Sequence, residues 1–173
     1  MLADFPWSVA RFKANKAYLG GEPVDRFLAL GADYVGSHIL PALRKSALEA
    51  IKQHRREGDR IVLLTGSIDL LVRPLTGRLG LDDAIAGRLE ESGGRFTGRI
   101  IPPHPYGEGK AAALRDYAQT RGLDLQRASL YSDSWSDLPA FRLVGRSTVV
   151  NPSPRLARLA GQRGWTVARW VDV

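Results

Sequence analysis

"LYSDSWSDLP", residues 130–139, sets two aspartates four residues apart directly behind a short apolar run. The run before Asp133 reads as the end of a buried strand, and Asp137 stands just ahead of a Leu-Pro step that suits the opening of a helix. Serine and aspartate also favour strand-end turns and helix N-caps, so on this stretch alone a purely structural role stays open.

Working outward, strands and helices alternate. Downstream, "DLPAFRLVG" reads as a short helix and "STVVN" as a strand. "SPRLARLAGQRG" follows as a helix capped by Ser153 or Asn151, and "WTVARW" as a last strand. Upstream, "KAAALRDYAQTRG" is a helix behind the loop "PPHPYGEG". "RIVLLT" (60–65) has the continuous apolar character of a parallel strand, and "IDLLVRPLTGRLG" is a helix carrying Pro74 inside it. "AIAGRLEES" and "GRFTGRII" flank Gly93–Gly94 as the arms of a hairpin or a pair of antiparallel segments. "PALRKSALEAIKQHRREG" begins at Pro41, places Leu43, Ala47, Leu48 and Ile51 at helical spacing and ends at Gly58. Residues 5–38 read as helical, broken at "GGEP" (20–23). This alternation predicts an α/β layered fold with a mainly parallel sheet. Residues 60–65, 128–132 and 146–150 are expected as parallel strands of one sheet, with Thr65 and Asp133 at the same edge.

The chain has 173 residues, enough for one domain with a real core, and the helical first forty residues are the only candidate subdomain. It has no cysteine, which excludes disulfides, thiolate metal sites and a cysteine nucleophile. No signal-like or membrane-spanning apolar run is present, so the expected setting is cytoplasmic, without a membrane partner. The net charge of +7 is spread over arginines interleaved with acids and lacks an aromatic-studded basic stripe. That pattern argues against nucleic acid and suits a small anionic ligand.

In open parallel sheets ligands sit outside the carboxyl ends of strands. At the first such end stand Thr65, Gly66 and Ser67, where a hydroxyl and accessible N–H groups can hold a phosphate oxygen, or simply cap the next helix. Lys110 stands at the start of a helix, where a cation opposes the dipole unless an anion offsets it; a solvated lysine on an exposed turn is the alternative. Asp133 and Asp137 supply the hard oxygen ligands that Mg²⁺ prefers.

A hydroxyl at a strand end, a lysine before a helix, then strand-D-x-x-x-D: in this order the residues resemble three motifs of the haloacid dehalogenase (HAD) superfamily. "SDSWSDLP", "PPHPYGEGK" and the tail "NPSPRLARLAGQRGWTVARW" are similar to its branch related to phosphoserine phosphatase. The resemblance implies a Rossmann-like core over residues 41–173, a partial helical cap over residues 1–40, Mg²⁺, and hydrolysis of a small phosphorylated metabolite through an aspartyl-phosphate. It implies that Thr65 and Gly66 bind a phosphoryl oxygen, and that Lys110 neutralises charge on the phosphoryl group. Asp133 would then ligate Mg²⁺, Asp137 would orient a metal water or Lys110, and Ser136 would have a polar role.

The family's first motif, an apolar strand ending in D-x-D-x-[TV], finds no match. Asp4, Asp25 and Asp33 lack its context, and no Asp-x-Asp occurs anywhere in the sequence. The family's central first strand is therefore expected to be missing, to be replaced by an upstream segment, an oligomeric partner or direct pairing of its neighbours. Two functions follow: a phosphatase truncated at its N-terminus and inactive as it stands, or a non-catalytic domain that binds phosphate or Mg²⁺. Phe5, Trp7, Phe12 and Tyr18 are expected on a buried helix–helix face, with the lining of a pocket as the alternative, and His104 as an exposed loop residue, with contact to a leaving group as the alternative.

Overall fold

A computed structural model describes residues 16–171. In chain order the elements are α1 (Val24–Tyr34), α2 (Lys45–Arg56), β1 (Val62–Ile68), α3 (Asp69–Leu79), β2 (Asp83–Ser92), β3 (Arg95–Ile101), α4 (Glu108–Arg121), β4 (Ser129–Ser132), α5 (Leu138–Phe141), β5 (Arg146–Val150), α6 (Pro154–Arg163) and β6 (Thr166–Ala168). They fall into two compact units. The first comprises the described part of Met1–Ala42 with Arg60–Pro105, and the second Leu43–Asp59 with the described part of Tyr106–Val173.

The first unit holds the sheet β1-β2-β3, parallel between β1 and β2 and antiparallel between β2 and β3. Gly93 and Gly94 join β2 to β3 with φ of 57° and 74°, the pair of left-handed residues that a tight hairpin turn needs. Its core gathers Leu19, Val24, Leu70, Leu89 and Phe96, with Phe27 meeting Phe96 edge-on at 6.4 Å. Tyr18 departs from expectation: it is 71% exposed, because in the single 3-10 turn Ala17–Leu19 it is Leu19 that takes the inward position. Phe5, Trp7 and Phe12 lie outside the described residues.

Pro74 sits within α3 without ending it. Having no N–H, it leaves the carbonyl of Leu70 without its helical donor. Gly31 of α1 lies against that carbonyl, where an added Cβ would come 2.6 Å from the Leu70 oxygen. The contact is backbone to backbone, so no side chain can swing aside to relieve it. Gly31→Ala is therefore expected to cost about 2 kcal/mol of stability, read as a lowered urea midpoint. An unchanged midpoint would show that α1 can shift away freely.

The second unit holds the sheet β4-β5-β6, parallel throughout. Leu138, Phe141, Val149, Leu156 and Ala160 form its core, and Phe141 packs on Trp165 at 5.1 Å. Ser153, rather than Asn151, caps α6, its hydroxyl accepting from Leu156 N–H at 3.4 Å. The Asn151 amide is committed elsewhere: it donates to Trp170 O at 2.8 Å and accepts from Trp170 N–H at 2.9 Å.

The expected single sheet is thus corrected to two ladders among the described residues. A ladder extends only where strand edges meet, and β1 and β4 each have a bonded strand on one side only. The end of β1 is corrected as well. Regular pairing stops at Leu64, yet the strand bulges through Thr65, Gly66 and Ser67 and resumes at Ile68. Among the described residues no helix is long and apolar enough to cross a membrane.

Candidate active site

The second unit builds its site on the four-residue strand β4. After Ser132 the chain turns on alternate serines. Ser134 N–H donates to Ser132 Oγ at 3.1 Å, and Ser134 Oγ accepts from Ser136 N–H at 3.2 Å, capping the 3-10 turn Trp135–Asp137. The turn carries Asp137 inward to the start of α5, where it is only 5% exposed. Lys110, from the first turn of α4, is likewise buried. Its Nζ donates to both carboxylate oxygens of Asp137, at 2.7 and 2.9 Å. Ser132 Oγ donates to Oδ2 at 2.7 Å and Ser136 Oγ to Oδ1 at 3.3 Å.

Asp137 therefore accepts four hydrogen bonds, two of them from a cation, which is what a buried carboxylate requires. It is also the anion that offsets Lys110 at the positive end of α4. The solvated-lysine reading does not hold. Asp133 differs: it is exposed at the mouth of β4, and no described residue donates a hydrogen bond to its carboxylate or pairs with it. Trp135, two residues on, is half-exposed, with the Arg155 guanidinium 4.2 Å from its ring centroid.

Of the residues singled out from sequence, the second unit brings Lys110, Asp137 and Ser136 together and presents Asp133 on the same strand-to-helix turn. Thr65 and Gly66 belong to the first unit, in the bulge of β1, where Thr65 Oγ1 accepts from Ser67 N–H at 3.1 Å. His104 is not the exposed loop residue expected. Both ring nitrogens are buried, and the ring covers Gly87, where a Cβ would lie 3.0 Å from Nδ1. The missing side chain at Gly87 is what makes room for it. Ser132 and Ser134 were not singled out, although their alternation with Ser136 in S-D-S-x-S is the visible signal of the hydroxyl chain.

Acids and a lysine gathered at the carboxyl end of a parallel strand place the chain among α/β proteins whose chemistry lies outside their strand ends. The chain belongs to the haloacid dehalogenase-like hydrolase family, whose model matches residues 5–142. It is 35% identical over 151 residues to the phosphoserine phosphatase SerB1 of Mycobacterium tuberculosis, covering 87% of this chain and 49% of that one. It is 33% identical over 140 residues to the histidinol-phosphatase of Neisseria meningitidis, covering 79% of this chain and 61% of that one. A crystal structure of a Bordetella pertussis protein of unknown function superposes with a TM-score of 0.81 at 27% identity, over 97% of this chain and 74% of the other. The chain spans about half the length of the Mycobacterium relative it matches.

Proposed function

We propose that this chain carries the charge-stabilising part of a Mg²⁺-dependent phosphomonoester hydrolase acting on a small phosphorylated metabolite. The observation that supports this most is the buried Lys110–Asp137 pair at the end of β4. Burying two charges costs several kcal/mol each and is weak evidence for stability. Such a pair is better explained as chemistry, with Asp137 and its serines aiming the Lys110 ammonium. Phosphoryl transfer depends mainly on positioning and on stabilising charge. Lys110 would meet the negative charge of the phosphoryl group. For Thr65 and Gly66 the phosphate-binding role rests on the motif in the sequence alone.

Asp133 fits Mg²⁺: an exposed carboxylate to which no described residue donates, flanked by the oxygen-bearing side chains of Ser132 and Ser134. Asp137, spent on Lys110 and two hydroxyls, would act through Lys110. When bound, Mg²⁺ supplies positive charge to phosphoryl oxygens. The covalent route also needs a carboxylate nucleophile in line with phosphorus, and the sequence holds no Asp-x-Asp. We therefore read the 173 residues alone as nearly inactive. The same lack favours the second reading, a domain that binds phosphate or Mg²⁺ without turnover.

The test is phosphate release from phosphoserine, histidinol phosphate and p-nitrophenyl phosphate, with and without Mg²⁺. It compares the 173-residue chain with one extended upstream by an apolar strand ending in Asp-x-Asp-x-Thr. Turnover is expected only in the extended chain with Mg²⁺, and Asp133→Ala there should lower it by about 10²-fold or more. Robust turnover by the short chain that survives Asp133→Ala would overturn the assignment. Binding of phosphate by both chains with turnover by neither would establish the second reading.

A further inference from the structure

We propose that the turn closing α2 is a separate metal site, in which His54, Glu57 and Asp59 hold one late first-row divalent cation such as Zn²⁺. The stretch H-R-R-E-G-D packs three ligand-type side chains into one turn. Gly58, at φ 76°, reverses the chain there, and Asp59 N–H donates back to His54 O at 3.0 Å. This brings Asp59 Oδ2 to 2.7 Å and Glu57 Oε2 to 3.9 Å from His54 Nδ1. One donor atom from each residue lies within 4.8 Å of the others. Around a four-coordinate Zn²⁺, ligand atoms stand roughly 3.3 Å apart, between the two observed distances, so a small side-chain rotation seats the ion.

The outward-facing atoms of His54 and Glu57 are held by residues outside this gap. His54 Nε2 meets the Tyr131 hydroxyl at 2.9 Å, and the other Glu57 oxygen accepts from Gln53 Nε2. Arg56 in turn fixes Gln53, donating to its Oε1 at 2.6 Å. Tyr131 stacks on Trp170 at 5.7 Å, and Arg44 ties down the Trp170 carbonyl at 3.1 Å. An ion pair at a helix end needs no such support. A metal-bound imidazole does, because its second ring nitrogen must donate to a fixed acceptor if the first is to keep its lone pair. One imidazole and two carboxylates suit Zn²⁺, whereas Mg²⁺ prefers oxygen alone. An ion here would clasp the end of α2 to β4 through His54 and Tyr131.

The test uses the full chain after chelator treatment, titrated with Zn²⁺ by calorimetry and with Co²⁺ by its visible absorption. One equivalent per chain is expected, undisturbed by hundredfold Mg²⁺. Glu57→Gln, at a half-exposed position that folding tolerates, and His54→Gln should each weaken binding at least tenfold. Tyr131→Phe should weaken it about tenfold, the usual cost of losing such an outer partner. Asp133→Asn and His38→Gln should leave it unchanged, so the outcome is independent of the phosphatase reading. Binding indifferent to both His54→Gln and Glu57→Gln, or lost in Asp133→Asn instead, would overturn the proposal. So would a chain that takes up no Zn²⁺.

Discussion

Lys110→Met is expected to lower folding stability by about 3 kcal/mol, because it leaves a buried carboxylate without its cation. Asp137 keeps the Ser132 and Ser136 hydroxyls, but hydroxyls supply no positive charge. The side chains of the pair are 10% and 7% exposed, so water cannot replace the lost ammonium without opening the unit. Removing both charges in Lys110→Met, Asp137→Asn should recover much of the loss, since the remaining amide can donate to as well as accept from the neighbouring serines. Urea unfolding of the two singles and the double closes the cycle. A double variant no more stable than Lys110→Met would mean that the loss came from packing and not from the orphaned charge. On the proposed function, the same substitution in the chain extended by an Asp-x-Asp strand should reduce kcat by about 10²-fold or more, the usual effect of removing one preorganised charge from a transition state. The stable double variant should not regain that rate, which would separate the proposed chemical role of the lysine from its structural one.

The second large effect is expected at Gly145, in the turn between α5 and β5. A Cβ there would lie 1.8 Å from the carbonyl oxygen of Gln126, an overlap with backbone that no rotamer relieves. The chain must come this close. Gly145 N–H donates to Leu125 O and Arg146 N–H to Ala128 O, each at 3.0 Å, and these bonds lead into the Ser129–Arg146 register of the β4–β5 ladder. Gly145→Ala should cost about 3 kcal/mol, the upper range for an overpacked site, and lower Tm by roughly 10 °C for a chain of this size. The exposed surface at Gly145 gives no warning of this, since the conflict lies beneath the backbone and not in the core. Thermal unfolding decides it. A Tm within a degree or two of the parent would show that the 3-10 turn Leu125–Arg127 yields at little cost.

The hairpin at Gly93–Gly94 and the helix ending before Gly58 were legible in the sequence, because the left-handed backbone each needs is a property of the residue itself. Parallel strands alternating with helices were legible from apolar runs, and the family from the order of Thr65, Lys110, Asp133 and Asp137. Lys110 at the start of α4 pointed either to an offsetting anion or to a solvated lysine, and its burial decided for the anion. The family resemblance left Asp137 to orient either a metal water or Lys110, and the choice of Lys110, 27 residues earlier, came only when β4 and α4 packed in one unit. The choice of Ser153 over Asn151 as the cap of α6 was closed to sequence too, since it turned on Trp170, 19 residues from Asn151. The burial of His104 turned likewise on Gly87, and the division into two ladders on which strand edges meet. Local conformational preference is written into each residue, whereas the partner of a charge, an amide or a strand edge is set by distance in space, and only the packed chain supplies that distance.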